Sequence, residues 1–236
     1  MKYFGKVAYK GDIATNYESD RITESIWQQE QDWLSAFLQK IPDGSILLDL
    51  PVGSGRFLDL YAAKEIKVFG YDISNDMISV SKQKLAGIKA SHADIILKVA
   101  DAEKIELEQN SVDYVVCFRL FHLIPFVVIK QIIKEFYRIS NKQVIIEVFN
   151  SSLVSDQTSV VTKLKNVTSG FITKIKRIVS LSNADVEQTN PWLHIDNFTY
   201  SYNDILKEFK TAGFKNVIKE TIDDSENPVT IFVLNK

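Results

Sequence analysis

The chain has 236 residues, 45% of them hydrophobic and 25% charged, so it can bury the core of one α/β domain. The net charge of −2 gives no general attraction to nucleic acid or to an anionic membrane. The single cysteine, Cys117, excludes an internal disulfide and a cysteine-based zinc site. We expect a soluble cytoplasmic protein, because no apolar run approaches the ~20 residues of a membrane span and the N-terminus lacks a signal-peptide pattern.

The first 41 residues predict one helix ahead of the core. Residues 1–18 are aromatic and polar without a clear period. From Ser19 to Ile41 apolar residues recur near the helical period, and Pro42 begins the turn that ends them. We therefore expect an N-terminal cap region over residues 1–41.

Short apolar strands and helical segments alternate through residues 42–149. The predicted strands are 46–49, 67–72, 95–99, 112–118 and 144–149. Because these strands are apolar throughout rather than alternating, they indicate a parallel sheet that helices cover on both faces. Residues 42–149 are therefore the predicted core of the domain.

Residues 150–198 interrupt this rhythm and predict a helical insertion, which we interpret as a cover over the substrate. Residues 199–236 then predict a closing helix and two strands that pair antiparallel across a short loop. The expected fold is one Rossmann-like, doubly wound α/β domain over residues 1–236. Its seven-stranded sheet is mostly parallel, with an antiparallel last strand and a helical lid insertion.

A glycine turn follows the first strand, in the stretch SILLDLPVGSGRF. Gly53 and Gly55 allow a ligand to approach the backbone, and the following helix start favours a polar or anionic group. The turn lacks the lysine of a phosphate-binding loop, so a triphosphate is disfavoured. Asp72 ends the second strand about 20 residues later, where an acid can accept hydrogen bonds from ribose hydroxyls.

Other polar residues follow the later strands at the same edge of the sheet, where open α/β sheets bind ligands. Asp101 follows the third strand, and Arg119 and His122 follow the fourth. His122 is either a general base with a pKa near the working pH or a packing histidine. Glu147, near the end of the fifth strand, is a candidate to face a substrate.

Five ordered motifs resemble those of class I S-adenosylmethionine-dependent methyltransferases, and of their small-molecule branch in particular. They are LLDLPVGSGRF, YDISNDMI, VADAEKIEL, SVDYVVCFRLFHLI and EFYRISNKQVIIEVF. A weaker likeness continues at YSYNDILKEFKTAGFKNV. The resemblance implies S-adenosylmethionine as cofactor, S-adenosylhomocysteine as product and a small-molecule acceptor.

The resemblance also implies a role for individual positions. Around the methionine part it places Asp49, Gly53 and Gly55 in the turn, the backbone of Phe118 and Arg119 near the amine, and Tyr17 and Arg21 closing over the cofactor. Arg21 would pair with the carboxylate. Around the nucleoside it places Asp72 on the ribose, Ile73 and Met77 against the adenine, and Asp101 and Ala102 at the adenine edge.

The sequence departs from that family at Pro51, where glycine is usual, and proline removes an N–H and fixes φ. His194 is a candidate substrate contact, and no metal site is predicted. Nucleic acid is not expected as substrate, and a homodimer stays open beside a monomer. Two alternatives also stay open: a nicotinamide oxidoreductase, because the strand, glycine turn and acid are shared, and a non-catalytic binding protein of this fold.

Overall fold

The computed structural model describes residues 8–149, 200–222 and 229–236. The helices of this part of the chain are α1 Asp12–Arg21, α2 Ser25–Lys40, α3 Leu58–Ala62, α4 Asn75–Gly87, α5 Phe126–Ile139 and α6 Tyr202–Ala212. The strands are β1 Ile46–Asp49, β2 Lys67–Asp72, β3 Asp94–Val99, β4 Val112–Cys117, β5 Ser140–Phe149, β6 Asn216–Ile222 and β7 Val229–Asn235. A short 3-10 helix, Phe121–Leu123, follows β4.

The seven strands form one sheet in the order β3-β2-β1-β4-β5-β7-β6. The five strands β1 to β5 are parallel, whereas β7 is antiparallel to β5 and to β6. This confirms the predicted doubly wound sheet with its antiparallel last strand. The chain order reverses between β1 and β4, and such a switch point opens a crevice at the carboxyl ends of the two strands.

Helices pack on both faces of the sheet, which explains the uninterrupted apolar strands. In β1, Leu47 packs with the core that α2 and α3 cover, and its neighbour Leu48 packs with the core that α5 and α6 cover. Side chains alternate between the faces of a strand, so a strand buried on both faces needs apolar residues at consecutive positions.

Several predicted helix ends agree with the structure. The Ser74 side chain accepts a hydrogen bond from the Met77 N–H at 3.3 Å, which caps α4 as expected. Gly213 ends α6 with a φ of 114°, a left-handed conformation that suits glycine.

The N-terminal helix predicted from Ser19 to Ile41 corresponds to α2, which begins later, at Ser25. The prediction of a single helix was wrong, because α1 precedes α2 and lies mostly in residues 1–18, where no period was found. The reason is that Ala14 is the buried residue of α1, so this helix carries no apolar stripe. The predicted insertion, residues 150–198, lies outside the described residues.

Candidate active site

A cavity opens at the switch point between β1 and β4. It extends from the carboxyl end of β2, across the glycine turn, to the segment that follows β4. Its lining residues are Tyr9, Tyr17, Pro51, Val52, Gly53, Ser54, Arg56, Phe57, Asp72, Ile73, Met77, Phe118, Arg119, Leu120, Leu123 and Ile124. Seven predicted cofactor residues are among them: Tyr17, Gly53, Asp72, Ile73, Met77, Phe118 and Arg119.

The two glycines of the turn have different surroundings. Gly53 has a φ of +56°, and a Cβ built on it would meet no atom within 4 Å. Gly55 has a φ of +89°, and its Cβ would approach Leu58 Cδ1 to 2.5 Å. Gly53 therefore leaves open space beside the cavity, whereas Gly55 allows the turn to pack against α3.

Pro51 does not remove the turn. Gly53 and Gly55 adopt the left-handed conformations, and the peptide bond between Leu50 and Pro51 is cis. The Val52 N–H donates to the Tyr71 carbonyl at 2.8 Å, which holds the turn against the end of β2. Pro51 itself lies in the cavity wall.

Asp72 lies at the end of β2 and receives two backbone N–H groups. Gly53 N–H donates to Oδ2 at 3.1 Å and Ser74 N–H to Oδ1 at 2.7 Å. Burial raises the pKa of the Asp72 carboxyl to about 6, and these N–H groups restrain the rise. The group is therefore ionised at pH 7 and can accept further hydrogen bonds from the cavity, as a ribose would require.

Asp49 ends β1 beneath the cavity and is 1% exposed. Burial raises the pKa of its carboxyl to about 8, although the neighbouring Tyr61 hydroxyl lowers this pKa. Among the described residues its Oδ2 has no hydrogen-bond partner. Asp49 therefore holds a proton in this structure at pH 7, and a cation nearby would favour its release.

Two arginines and two glutamates meet where β4 and β5 end. The Arg119 N–H donates to Glu147 Oε2 at 3.2 Å, and the Arg119 Nε lies 3.0 Å from both carboxylate oxygens of Glu30. Arg56, from the glycine turn, pairs with Glu30 as well. Glu147 is buried below this group and does not line the cavity.

Helix α1 lies beside the glycine turn and α4 and brings Tyr17 to the cavity. The Arg21 guanidinium lies 5.1 Å from the Tyr17 ring centroid and pairs with Glu24 Oε1 at 3.0 Å. Arg21 does not line the cavity. Its predicted pairing with the methionine carboxylate stays a prediction.

The structure favours the second of the two interpretations of His122, a packing histidine, and His122 does not line the cavity. Burial lowers the pKa of its imidazole to about 3, and the charges of Arg119 and Arg21 add to this effect. The ring packs edge-on against Phe149, with 4.3 Å between ring centroids. His122 is therefore neutral at pH 7, and its catalytic role stays a prediction.

The remaining predicted residues either do not line the cavity or lie outside the described residues. Asp101 and Ala102 follow β3 and are not in the cavity wall, and Asp101 Oδ1 accepts from the Glu103 N–H at 3.0 Å. His194 falls among residues that the structure does not describe.

Arg56 and Glu30 were not predicted as site residues. Arg56 stands in the motif LLDLPVGSGRF without an assigned role, and Glu30 stands in the polar run QQEQD. Glu30 is nevertheless fully buried, between Arg56 and Arg119. The sequence pattern alone does not identify a buried acid in a polar run, because the partners that bury it lie in distant segments.

Two further findings concern the described ranges alone. They contain no cluster of three or more histidine, cysteine or acidic side chains that could hold a metal ion. None of their helices is long and apolar enough to span a bilayer.

Comparison with known sequences agrees with the motifs. A family model described as a methyltransferase domain matches residues 47–143. An uncharacterized methyltransferase-like protein of Schizosaccharomyces pombe is 30% identical to the chain over 133 residues, which are 56% of this chain and 46% of that protein. The chain therefore spans about half the length of this relative.

Comparison with solved structures supports the same fold. Magnesium protoporphyrin IX methyltransferase from Synechocystis PCC 6803 with bound S-adenosylmethionine superposes with a TM-score of 0.63 at 15% identity, covering 98% of this chain and 88% of that one. The PH0226 protein from Pyrococcus horikoshii OT3 has a TM-score of 0.63 at 17% identity, covering 91% and 93%. Residues 47–143 therefore match a methyltransferase domain, and the sheet order and the ordered motifs agree with that match.

Proposed function

We propose that this protein transfers a methyl group from S-adenosylmethionine to a small-molecule acceptor. The observation that carries the proposal is the continuous cavity from Asp72, Ile73 and Met77 to Phe118 and Arg119 across an open glycine turn. An acid, an apolar shelf and cationic donors follow one another along it. These are the groups that a ribose, an adenine and a carboxylate require.

The residues present fit this cofactor. Asp72 would accept from the ribose hydroxyls, and Ile73 and Met77 would lie against the adenine. The carboxyl of Asp49 would lie beneath the ammonium group of the cofactor and attract it. The ammonium group would in turn stabilise the ionised form of this buried acid. When bound, the cofactor supplies an electrophilic methyl group on a cationic sulfur.

The protein's own contribution to the transfer is alignment. Leu120, Leu123 and Ile124 form an apolar wall at the end of the cavity beyond Arg119, where an acceptor would be held and water excluded. The neutral His122 could accept a proton, but its low pKa makes it a weak base. We therefore propose His122 as catalytic only for a nucleophile that needs little assistance.

The proposal of a small-molecule acceptor rests on charge and on the apolar lining of the cavity. The net charge of −2 does not favour nucleic acid, and Leu120, Leu123 and Ile124 make one part of the cavity wall apolar. The similarly folded Synechocystis enzyme is named for magnesium protoporphyrin IX, a small molecule.

The proposal includes the division of the chain that the sequence predicts. Residues 1–41 would cap the site, 42–149 would bind the cofactor, 150–198 would cover the substrate and 199–236 would close the sheet. The family match to residues 47–143 supports the second of these segments. A cytoplasmic location is proposed on composition alone.

Isothermal titration calorimetry tests the cofactor. We expect S-adenosylmethionine and S-adenosylhomocysteine to bind and NAD to give no heat. Asp72→Ala should weaken the binding of S-adenosylhomocysteine roughly tenfold to hundredfold, because hydrogen bonds to a charged group are lost. Asp94→Ala, an exposed acid at the start of β3, is the matched control and should bind as the wild type does. Absence of heat with both sulfur ligands would contradict the proposal.

A further inference from the structure

Glu147 is a buried acid in the middle of the sheet. It stands in β5, with β4 on one side and β7 on the other, and it is 1% exposed. Burying a carboxyl group among apolar strands is costly unless a hydrogen bond compensates. Glu147 does not line the cavity, so a role other than the predicted substrate contact has to explain this acid.

The backbone N–H of Arg119 is the hydrogen-bond donor to Glu147. The pairing of β4 with β5 runs as far as Cys117 opposite Ile146, so Arg119 lies beyond the ladder of the two strands. Its N–H donates to Glu147 Oε2 at 3.2 Å, and this bond is buried. The carboxyl group therefore takes the place of a strand carbonyl at the first turn after β4.

The backbone of Arg119 is held in an uncommon conformation. Its φ is 55°, in the left-handed region that residues other than glycine rarely adopt. Such a conformation persists only where the surrounding structure fixes it. The side chain of Arg119 is held by Glu30 and Glu24, but the bond to Glu147 is the one that restrains the backbone itself.

The turn at Arg119 determines where one wall of the cavity stands. Phe118 precedes the turn and Leu120 follows it, and both line the cavity. The Leu123 N–H donates to the Leu120 carbonyl at 2.9 Å, which joins Leu123, another lining residue, to the same short segment. A change in the backbone of Arg119 would therefore move lining residues on both sides of it.

We propose that Glu147 is a positioning residue, which holds the end of β4 in the conformation that binds the methionine part of the cofactor. Glu147 acts through the Arg119 backbone and does not touch the ligand. The inference rests on the proposed function, because the resemblance to methyltransferases places the methionine part beside Phe118 and Arg119.

Two substitutions separate the hydrogen bond from the size of the side chain. Glu147→Gln keeps an oxygen that can accept the Arg119 N–H, whereas Glu147→Met keeps the length of the side chain without that oxygen. Burial and the charge of Glu30 raise the pKa of Glu147 well above its ordinary value, so the neutral glutamine is a close substitute.

Calorimetry with two ligands distinguishes positioning from general stability. S-adenosylhomocysteine carries the methionine part, and 5′-methylthioadenosine lacks it. Glu147→Met should weaken the binding of S-adenosylhomocysteine about tenfold and that of 5′-methylthioadenosine less than about twofold, because only the first ligand reaches the end of β4. Glu147→Gln should bind both ligands as the wild type does.

Glu135→Met is the matched control. Glu135 Oε2 accepts the Ile105 N–H at 2.9 Å, a bond of the same kind, and neither of these residues lines the cavity. This variant should lower the Tm, as Glu147→Met should, but leave the ratio of the two affinities unchanged. A wild-type ratio in Glu147→Met, or a weakened S-adenosylhomocysteine in Glu147→Gln, would overturn the inference.

Amide exchange measured by NMR on the wild type keeps the test decisive if Glu147→Met does not fold. The Arg119 N–H should exchange as slowly as the ladder amides of β4, and exchange at the rate of an exposed loop amide would overturn the inference. Wild-type protein that binds neither ligand would contradict the proposed function and this inference with it. Equal wild-type affinity for the two ligands would overturn the inference alone.

Discussion

Gly53 and Gly55 stand two positions apart in one turn, yet they serve different purposes. Both need a left-handed backbone, which costs any other residue roughly 1–2 kcal/mol. Only Gly55 is also packed against other side chains, since a Cβ there would lie 2.5 Å from Leu58 and 3.1 Å from Ser81. The same substitution should therefore damage different properties at the two positions.

We expect Gly55→Ala to lower the free energy of unfolding by about 2–4 kcal/mol, because overlap adds to the backbone cost. Gly53→Ala should cost only about 1–2 kcal/mol, since its Cβ meets open space. Gly53 lines the cavity, so the added methyl group of Gly53→Ala should weaken the binding of S-adenosylhomocysteine about tenfold by keeping the ligand away from the turn. Urea denaturation and calorimetry on both variants make the comparison. Greater instability of Gly53→Ala would contradict it.

Residues that a motif defines could be predicted, and residues that only tertiary contact defines could not. Asp72 and Gly53 follow strands at fixed spacing, and the structure places both at the cavity. Glu30 and Arg56 have no such relation in sequence, because their burial depends on one another across segments. The sequence left the role of His122 open for the same reason, because the pKa of its imidazole depends on packing and on neighbouring arginines.

At the scale of elements, helix α1 is the one whose formation the sequence did not reveal. The hydrophobic period identified the sheet and its covering helices because their stability comes from apolar burial. Helix α1 is attached by polar groups instead. Glu18 accepts from Ser54 of the glycine turn at 3.0 Å and pairs with Lys84 of α4 at 3.0 Å, and Gly11 N–H donates to Asp76 at 2.8 Å.

We expect this polar attachment of α1 to govern the release of the cofactor. Glu18→Gln removes the ion pair with Lys84 while keeping the side-chain size. A partly exposed pair contributes roughly 0.2–1 kcal/mol, so dissociation of S-adenosylhomocysteine should become about two- to fivefold faster with little change in Tm. Stopped-flow displacement measures the rate.

The matched control for α1 is Glu106→Gln, which breaks an exposed ion pair with Lys98 far from α1. Its dissociation rate should equal that of the wild type. Equal rates in the Glu18 and Glu106 variants would show that α1 does not retain the ligand.

At the scale of the whole molecule, the site places several ionisable groups where folding changes their proton affinity. Asp49, Asp72 and Glu147 have raised pKa values, so the folded chain binds more protons than the unfolded chain above pH 4. His122 has a lowered pKa and opposes them, but only up to its ordinary value of 6.5. Above pH 6.5 Asp49, whose pKa is about 8, still binds a proton more tightly in the folded chain than in the unfolded chain.

The free energy of unfolding of the ligand-free protein should therefore fall as the pH rises from 6.5 to 8. Stability decreases with pH wherever the folded state holds the extra protons. Asp49, with a pKa of about 8, contributes a loss of about 2 kcal/mol over this interval. Urea denaturation at constant ionic strength measures it. Asp49→Asn, which cannot ionise, should show a flatter dependence and greater stability at pH 8, whereas stability that rises with pH in the wild type would mean that these acids are already ionised in the folded protein.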